Sequence, residues 1–305
     1  MTGLALVLVA AILSSTKAIF VKLAYPYGVD ALTLLALRMM MSLPVFLVLA
    51  VLEEMRARRL GEKTPARDYA IVAVLGLFGH YLASYLDFAG LAYVSAGLER
   101  LVLFTYPTFA VLISAVFFKH RITRREIIAL AMSYVGVVFA FGGERFAAGH
   151  DIAKGVTLIG ISAVAYAIYL VGSGRLIERF GANRLVAQAA TVSCVAVLAH
   201  FASTRPLSAL RVPWPVLQHA AAIALLSTVI PIFLVAQGMR RIGASRTAII
   251  TSVGPVATIV LARVFLDEGF GALQAIGTAF VLLGVAQLGM AKPEIVKDAR
   301  TPSIP

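Results

Sequence analysis

Cysteine, tryptophan and acidic residues are all scarce in this chain of 305 residues, with one Cys, one Trp, and 15 Asp plus Glu against 27 Lys plus Arg. The lone Cys194 excludes an intramolecular disulfide and leaves the redox compartment unconstrained. Charged residues reach only 14%, and no polar stretch between the apolar runs is long enough for a soluble domain. There is no glycine-rich phosphate loop, no H-E-x-x-H and no C-x-x-C. ATP-driven pumping within the chain is therefore excluded. His80 has no serine or cysteine at motif spacing, as intramembrane hydrolytic chemistry would need. No catalytic residue, cofactor or metal is expected, and the chain reads as a non-enzyme.

What is abundant is apolar sequence. Sixty percent of residues are hydrophobic and the mean hydropathy is +0.92, above the range of a soluble domain. Apolar stretches long enough to cross about 30 Å of hydrocarbon recur along the chain. They predict ten helical spans, at 3–24, 31–52, 69–92, 96–117, 126–143, 155–174, 185–203, 215–237, 245–266 and 271–291. The first lacks the basic start and A-x-A-like end of a cleaved signal, so it reads as a retained span.

The net charge of +12 follows the spans. With the amino terminus in the cytoplasm, inside segments hold eighteen cations, between Arg56 and Arg67, Lys119 and Arg125, Arg175 and Arg184, Arg240 and Arg246, and Lys292 and Arg300. Outside segments hold five: Lys22, Arg145, Lys154, Arg205 and Arg211. This is the positive-inside bias, and it places both termini in the cytoplasm. A nucleic-acid partner is not expected.

The chain also repeats itself. A constant shift of 148 residues carries Pro107 onto Pro255 and Gly136 onto Gly284, and it overlays the spans around them. The loops swap charge across the repeat: Lys119 and His120 align with Asp267 and Glu268, and Ala92 and Tyr93 with Arg240 and Arg241. A weaker match at a shift of 153 joins Lys22–Asp30 to Arg175–Asn183. Two copies with five spans each must lie in opposite orientations. The expected fold class is an all-α membrane protein of ten transmembrane helices, built as two inverted five-helix repeats around a central cavity. The repeats are read at 1–146 and 155–291, and the proline-containing tail 292–305 reads as disordered and cytoplasmic.

A charge near the bilayer centre costs roughly 2.5–3.5 kcal/mol, so each needs a partner or a wet cavity. Lys17, Arg38, Asp87, Glu99 and Arg100 fall in one half of the membrane by their positions along spans one to four. They predict a network with Lys17 and Arg38 as cations, Asp87 and Glu99 as partners, and Arg100 snorkelling; structural pairing alone is the alternative. Span three carries His80, Tyr81, Ser84, Tyr85, Asp87 and Phe88 within one arc of about 160°, a face suited to a cavity. His80 reads as a cavity-lining group, with a neutral interhelical hydrogen bond or a proton relay as alternatives. On span six, Ser162, Tyr166, Tyr169 and Ser173 share a face. On span nine, Thr247, Thr251 and Thr258 do so around Gly254-Pro255; hydroxyls in a span also bond to their own helix. Pro107, Pro231 and Pro255 mark helix breaks.

Span four and its flanks, from Gly90-Leu91-Ala92-Tyr93-Val94-Ser95-Ala96 through Glu99-Arg100-Leu101 to Phe104-Thr105-Tyr106-Pro107-Thr108, resemble the EamA-type branch of the drug/metabolite transporter superfamily. So do Lys17 to Lys22, Leu37-Arg38, and Ser133-Tyr134-Val135-Gly136-Val137. The resemblance covers residues 3 to 291 and implies a ten-helix transporter, of a kind whose members often export amino acids, aromatic ones included. The family's L-G-E-R-L turn after span four appears as Phe118-Lys119-His120-Arg121-Ile122, whereas the second copy keeps Glu268.

The expected function is secondary export of small metabolites by alternating access. The favoured cargo is an amino acid with an aromatic or large apolar side chain. The site would be lined by spans one, three, four, six, eight and nine. His80, Tyr81, Ser84 and Tyr85 would touch the cargo, Tyr166 and Tyr169 would face them, and Thr251 would sit by the span-nine break. Lys17 or Arg38 would meet a carboxylate, Asp87 or Glu99 an ammonium. Other readings are a channel-like uniporter, an antiporter of phosphorylated or nucleotide sugars, and a non-transporting scaffold. The expected partners are a small-molecule substrate and the lipid bilayer, and the location a bacterial inner membrane; the sequence leaves the oligomeric state open, a monomer being compatible with it.

Overall fold

A chain crossing hydrocarbon must satisfy every backbone N–H and C=O internally, so apolar runs of this length become helices. The computed structural model describes residues 2–118, 122–145, 151–243, 247, 250–251 and 253–290. Its helices are α1 (Gly3–Ala24), α2 (Ala31–Arg59), α3 (Ala66–Leu91), α4 (Ala96–Phe117), α5 (Arg124–Arg145), α6 (Ile152–Phe180), α7 (Ala182–Thr204), α8 (Trp214–Ile242), α9 (Gly254–Leu266) and α10 (Ala272–Met290). Seven are long and apolar enough to cross a membrane, and α5, α9 and α10 contain shorter apolar helices. Each helix overlaps one of the ten expected spans, although most of the first part of span nine, 245–253, lies outside the described residues. Helix α2 runs on to Arg59 because Arg56, Arg58 and Arg59 occupy its last turn, where cations complement the helix dipole. The tail 292–305, Lys119–Arg121 and Arg246 lie outside the described residues.

Local chemistry sets the helix starts. Thr2 caps α1, Asp30 accepts from the amides of Leu32 and Thr33 at 3.1 and 3.2 Å, and Ser95 accepts from Leu98 at 3.1 Å. Outward faces stay apolar: Val116, Phe117, Val138, Val264 and Phe265 are all exposed. Two of these pairs, Val116 with Val264 and Phe117 with Phe265, are 148 residues apart. A surface this apolar has hydrocarbon as its solvent.

The repeat appears in the helix irregularities. A π-helical turn occupies Leu77–Leu82 of α3, and another occupies Leu225–Val229 of α8. Helix α4 breaks after Leu103 and restarts at Tyr106, as α9 starts at Gly254. Both features recur at a shift of 148. Helix packing follows the same rule. Contacts of α1 with α8 and α9 are mirrored by those of α6 with α3 and α4, while α2 pairs with α7 and α5 with α10. This is the pattern a two-fold axis between two five-helix units requires.

Helices α5 and α10 run antiparallel at close range. A Cβ on Gly136 would lie 2.6 Å from the Gly277 carbonyl oxygen, and one on Gly284 would lie 2.7 Å from that of Ala129. The two-fold exchanges these contacts. Small residues permit that approach, since apolar side chains gain little from leaving lipid and close packing carries the association.

The two ends of the bundle differ. At the end holding the amino terminus, Gly3 packs on Ile242 and a cavity of about 570 Å³ is lined by the exposed residues Asn183 and Arg240. At the opposite end, Ser95 and Gly97 meet Ile259, Glu268 and Phe270 around a space of only about 10 Å³.

Candidate functional site

Charge first decides what this interior contains. Lys17 on α1 reaches Asp87 on α3 at 2.5 Å and Glu99 on α4 at 3.2 Å. Asp87 and Glu99 are almost wholly buried. A lysine facing two carboxylates leaves one negative charge over, and Arg100, next to Glu99 in sequence and itself in the cavity wall, supplies the balance. Arg100 was expected to snorkel to the surface, but the structure turns it inward. Its guanidinium lies 5.5 Å from the Phe104 ring, and its Nε has no hydrogen-bond partner among the described residues. Helix α4 breaks directly after this turn, which lets the arginine face the bundle axis. Arg263 does reach the surface, where it pairs with Asp267 at 2.9 Å.

These groups border an inner cavity of about 280 Å³, lined by α1 (Ser14, Lys17), α3 (Ser84, Asp87), α4 (Arg100, Phe104, Tyr106), α6 (Ser162, Tyr166), α8 (Val235) and Thr251. A side cavity of about 220 Å³ holds Arg38, His80, Ser193, Cys194 and Thr228. The wide cavity near the amino terminus adds Tyr169 and runs out past Asn183 to Arg240. Ser14 and Tyr166 line all three. Along the junction runs an aromatic strip: Phe104 to Tyr106 at 5.9 Å, Tyr106 to Tyr166 at 5.1 Å, Tyr166 to Tyr169 at 6.0 Å, and Tyr169 to His80 at 4.7 Å between ring centres. Such rings offer apolar area with a polar tip.

The arc expected on α3 is divided. His80, Ser84 and Asp87 face the cavities. Tyr81 and Tyr85 face α7 instead: the Tyr81 hydroxyl lies 3.0 Å from His200 Nδ1, and the Tyr85 ring packs edge-on to His200 at 5.3 Å. Neither lines any of these three cavities, because the arc spans two grooves and α7 occupies one. Phe88 is fully buried in the apolar core. Arg38 feels the charge of Asp87 but makes no ion pair with it; it lies over Phe88 at 5.5 Å and faces the side cavity. Glu99 sits beneath Lys17 rather than in the cavity wall.

Several hydroxyls hold helices together. Ser162 donates to the Ala83 carbonyl at 2.7 Å, tying α6 to α3, and Thr16 and Ser227 tie α1 to α8 at 2.8 Å. Ser15 donates to the Gly254 carbonyl at 2.9 Å, taking up a polar group at the start of α9. Thr258 bonds to Ser15, and Thr247 to its own backbone at Gly243. Ser14 and Tyr106 were missed from sequence. The available signals were the i, i+3 spacing of Ser14 and Lys17 and the place of Tyr106 before Pro107.

Residues 1–142 and 153–290 each match the profile of the EamA-like transporter family. "Uncharacterized transporter YcbK" of Bacillus subtilis (strain 168) is 29% identical over 290 residues, covering 93% of this chain and 92% of that protein. A "Probable terminal-alkyne amino-acid exporter" of Streptantibioticus cattleyicolor is 29% identical over 272 residues, covering 86% of this chain and 87% of its own. One solved crystal structure aligns with a TM-score of 0.62 at 18% identity over 94% of this chain and 98% of that one, a likeness of fold alone.

Proposed function

The chain belongs to the EamA-like transporter family, and from that premise we propose that it exports small metabolites, with amino acids bearing aromatic or large apolar side chains as the preferred cargo. The observation that carries this is the inner cavity: balanced charges from Lys17, Asp87, Glu99 and Arg100 lie beside Phe104, Tyr106 and Tyr166. A cargo with a charged end and an aromatic side chain matches such a wall. One relative is named a "Probable terminal-alkyne amino-acid exporter", which supports the same class.

The cavities open at the end bearing the amino terminus and are tight at the other. With both termini in the cytoplasm of a bacterial inner membrane, as the loop cations favour, cargo enters from the cytoplasm. Rocking of the two repeats then exposes it outside. A carrier of phosphorylated sugars would need several free cations, whereas Lys17 is already committed to two carboxylates.

The test is efflux from proteoliposomes loaded with labelled phenylalanine, leucine, glucose 6-phosphate or uridine. Faster efflux of the first two than of the others, over protein-free vesicles, is expected. Equal rates for all four would sink the cargo assignment. Reporter fusions at the carboxyl terminus test the orientation, with activity expected only from a cytoplasmic reporter.

A further inference from the structure

Four polar atoms in the wall of the side cavity are buried without a hydrogen-bond partner among the described residues: Arg38 Nε and Nη1, His80 Nε2 and Ser193 Oγ. Arg38 forms no ion pair with any described residue, and its guanidinium lies 5.5 Å from the centre of the Phe88 ring. It is also the one charged side chain in that wall. Asp87 acts on Arg38 through space without bonding to it; buried donors left unbonded are costly, and they call for a ligand that completes them.

The repeat gives a second, independent reason. Helices α2 and α7 are paired partners in the two halves. Yet α7 has no Lys or Arg from Leu185 to Thr204. A cation needed by the repeated scaffold would recur; this one serves something the halves do not share.

We propose that the side cavity is the carboxylate seat of the cargo, with Arg38 as its charged anchor and His80 and Ser193 as neutral hydrogen-bonding groups beside it. A guanidinium presents paired N–H groups that fit a planar carboxylate. One unpaired cation matches one negative charge, which favours a carboxylate over a phosphate dianion. Ser14 and Tyr166, shared with the inner cavity, let the rest of the cargo extend along the aromatic strip. The assignment departs from a Lys17-bound carboxylate, since Lys17 is held by Asp87 and Glu99. It rests on the transport reading only for the word cargo.

The test is a thermal-shift titration of the purified full-length protein with 3-phenylpropionate, 3-phenylpropanamide, phenylalanine and phenylalaninamide. Both carboxylates are expected to raise the melting temperature and both amides to leave it near the ligand-free value. In Arg38→Gln the apparent Kd of the carboxylates should rise about tenfold or more; Arg38→Lys should recover part of the loss. Equal shifts from acid and amide, undiminished binding in Arg38→Gln, or no response to any carboxylate at 10 mM would each overturn the proposal. If Arg38→Gln fails to fold, the acid-against-amide comparison on the natural protein decides alone. Binding through Arg38 without flux in proteoliposomes would instead refute transport and leave the seat standing.

Discussion

Lys17 is held by two carboxylates on two other helices, so one side chain gathers α1, α3 and α4. Buried ion pairs add little over an apolar replacement, but removing one partner strands the other. Lys17→Met leaves Asp87 and Glu99 facing each other with only Arg100 to offset them. A loss of about 3 kcal/mol or more is expected, read as a lower melting temperature in detergent, together with loss of efflux. Unchanged melting would mean that Arg100 alone neutralises the pair. Tyr81 makes a sharper comparison with His80. Both were read as cargo contacts, yet Tyr81 bonds to His200 away from the cavities. Tyr81→Phe should leave the substrate KM for efflux unchanged, while His80→Ala raises it.

At the level of single helices, Asp30 shows how a loop residue fixes a span. Burial acts to raise its pKa, but hydrogen bonds from Thr33 and Leu32 and the charge of Arg205 prevail and hold it below the usual carboxylate value. A depressed carboxyl contributes stability that is full above its unfolded pKa and is lost as pH falls through the folded one. Asp30→Ala should cost about 1 kcal/mol near neutral pH. The melting difference from the natural protein should persist at neutral pH and shrink only below the normal carboxylate range. Helices α5 and α10 set a different limit. Gly136→Ala places a methyl 2.6 Å from a backbone oxygen, so an overpacking cost of about 1–3 kcal/mol is expected in the same melts. Much of this level was legible in sequence. Turn and span signals are local, and the Pro107/Pro255 register carries over to the π-turns and helix restarts. Side-chain direction was not legible to the same degree. A helical wheel gives the angle of Tyr81, Tyr85 or Arg100 about its own axis, but not which neighbour stands there. The pairing of Lys17 was legible, because a buried ammonium demands an acid and few are available. The unbonded state of Arg38 was not, because nothing along α2 reveals that no described acid across the bundle bonds to it.

Across the whole molecule, the asymmetry between its ends carries the functional argument. The closed end is held by Glu268, whose two oxygens accept from the amides of Ala96 and Gly97 at 2.9 and 3.3 Å, at the start of α4. An acid there complements the helix dipole as well as the free amides. With Cys194→Ala and a Ser84→Cys reporter in the inner cavity, a membrane-impermeant maleimide supplied at the closed end should react about tenfold faster in Glu268→Ala, the upper part of what such a contact is worth. Equal rates would leave closure to the packing of Gly97 on Ile259. Sequence comparison of the two turns could not have shown this contact, since its partners are 172 residues apart. Its chemistry has a genetic corollary. Because the grip is on main-chain amides, no side-chain replacement on the receiving helix can remove those donors, short of proline. Drift at that threshold is therefore checked by a single codon, and variants that leak should accumulate at position 268 before they appear at 96 or 97.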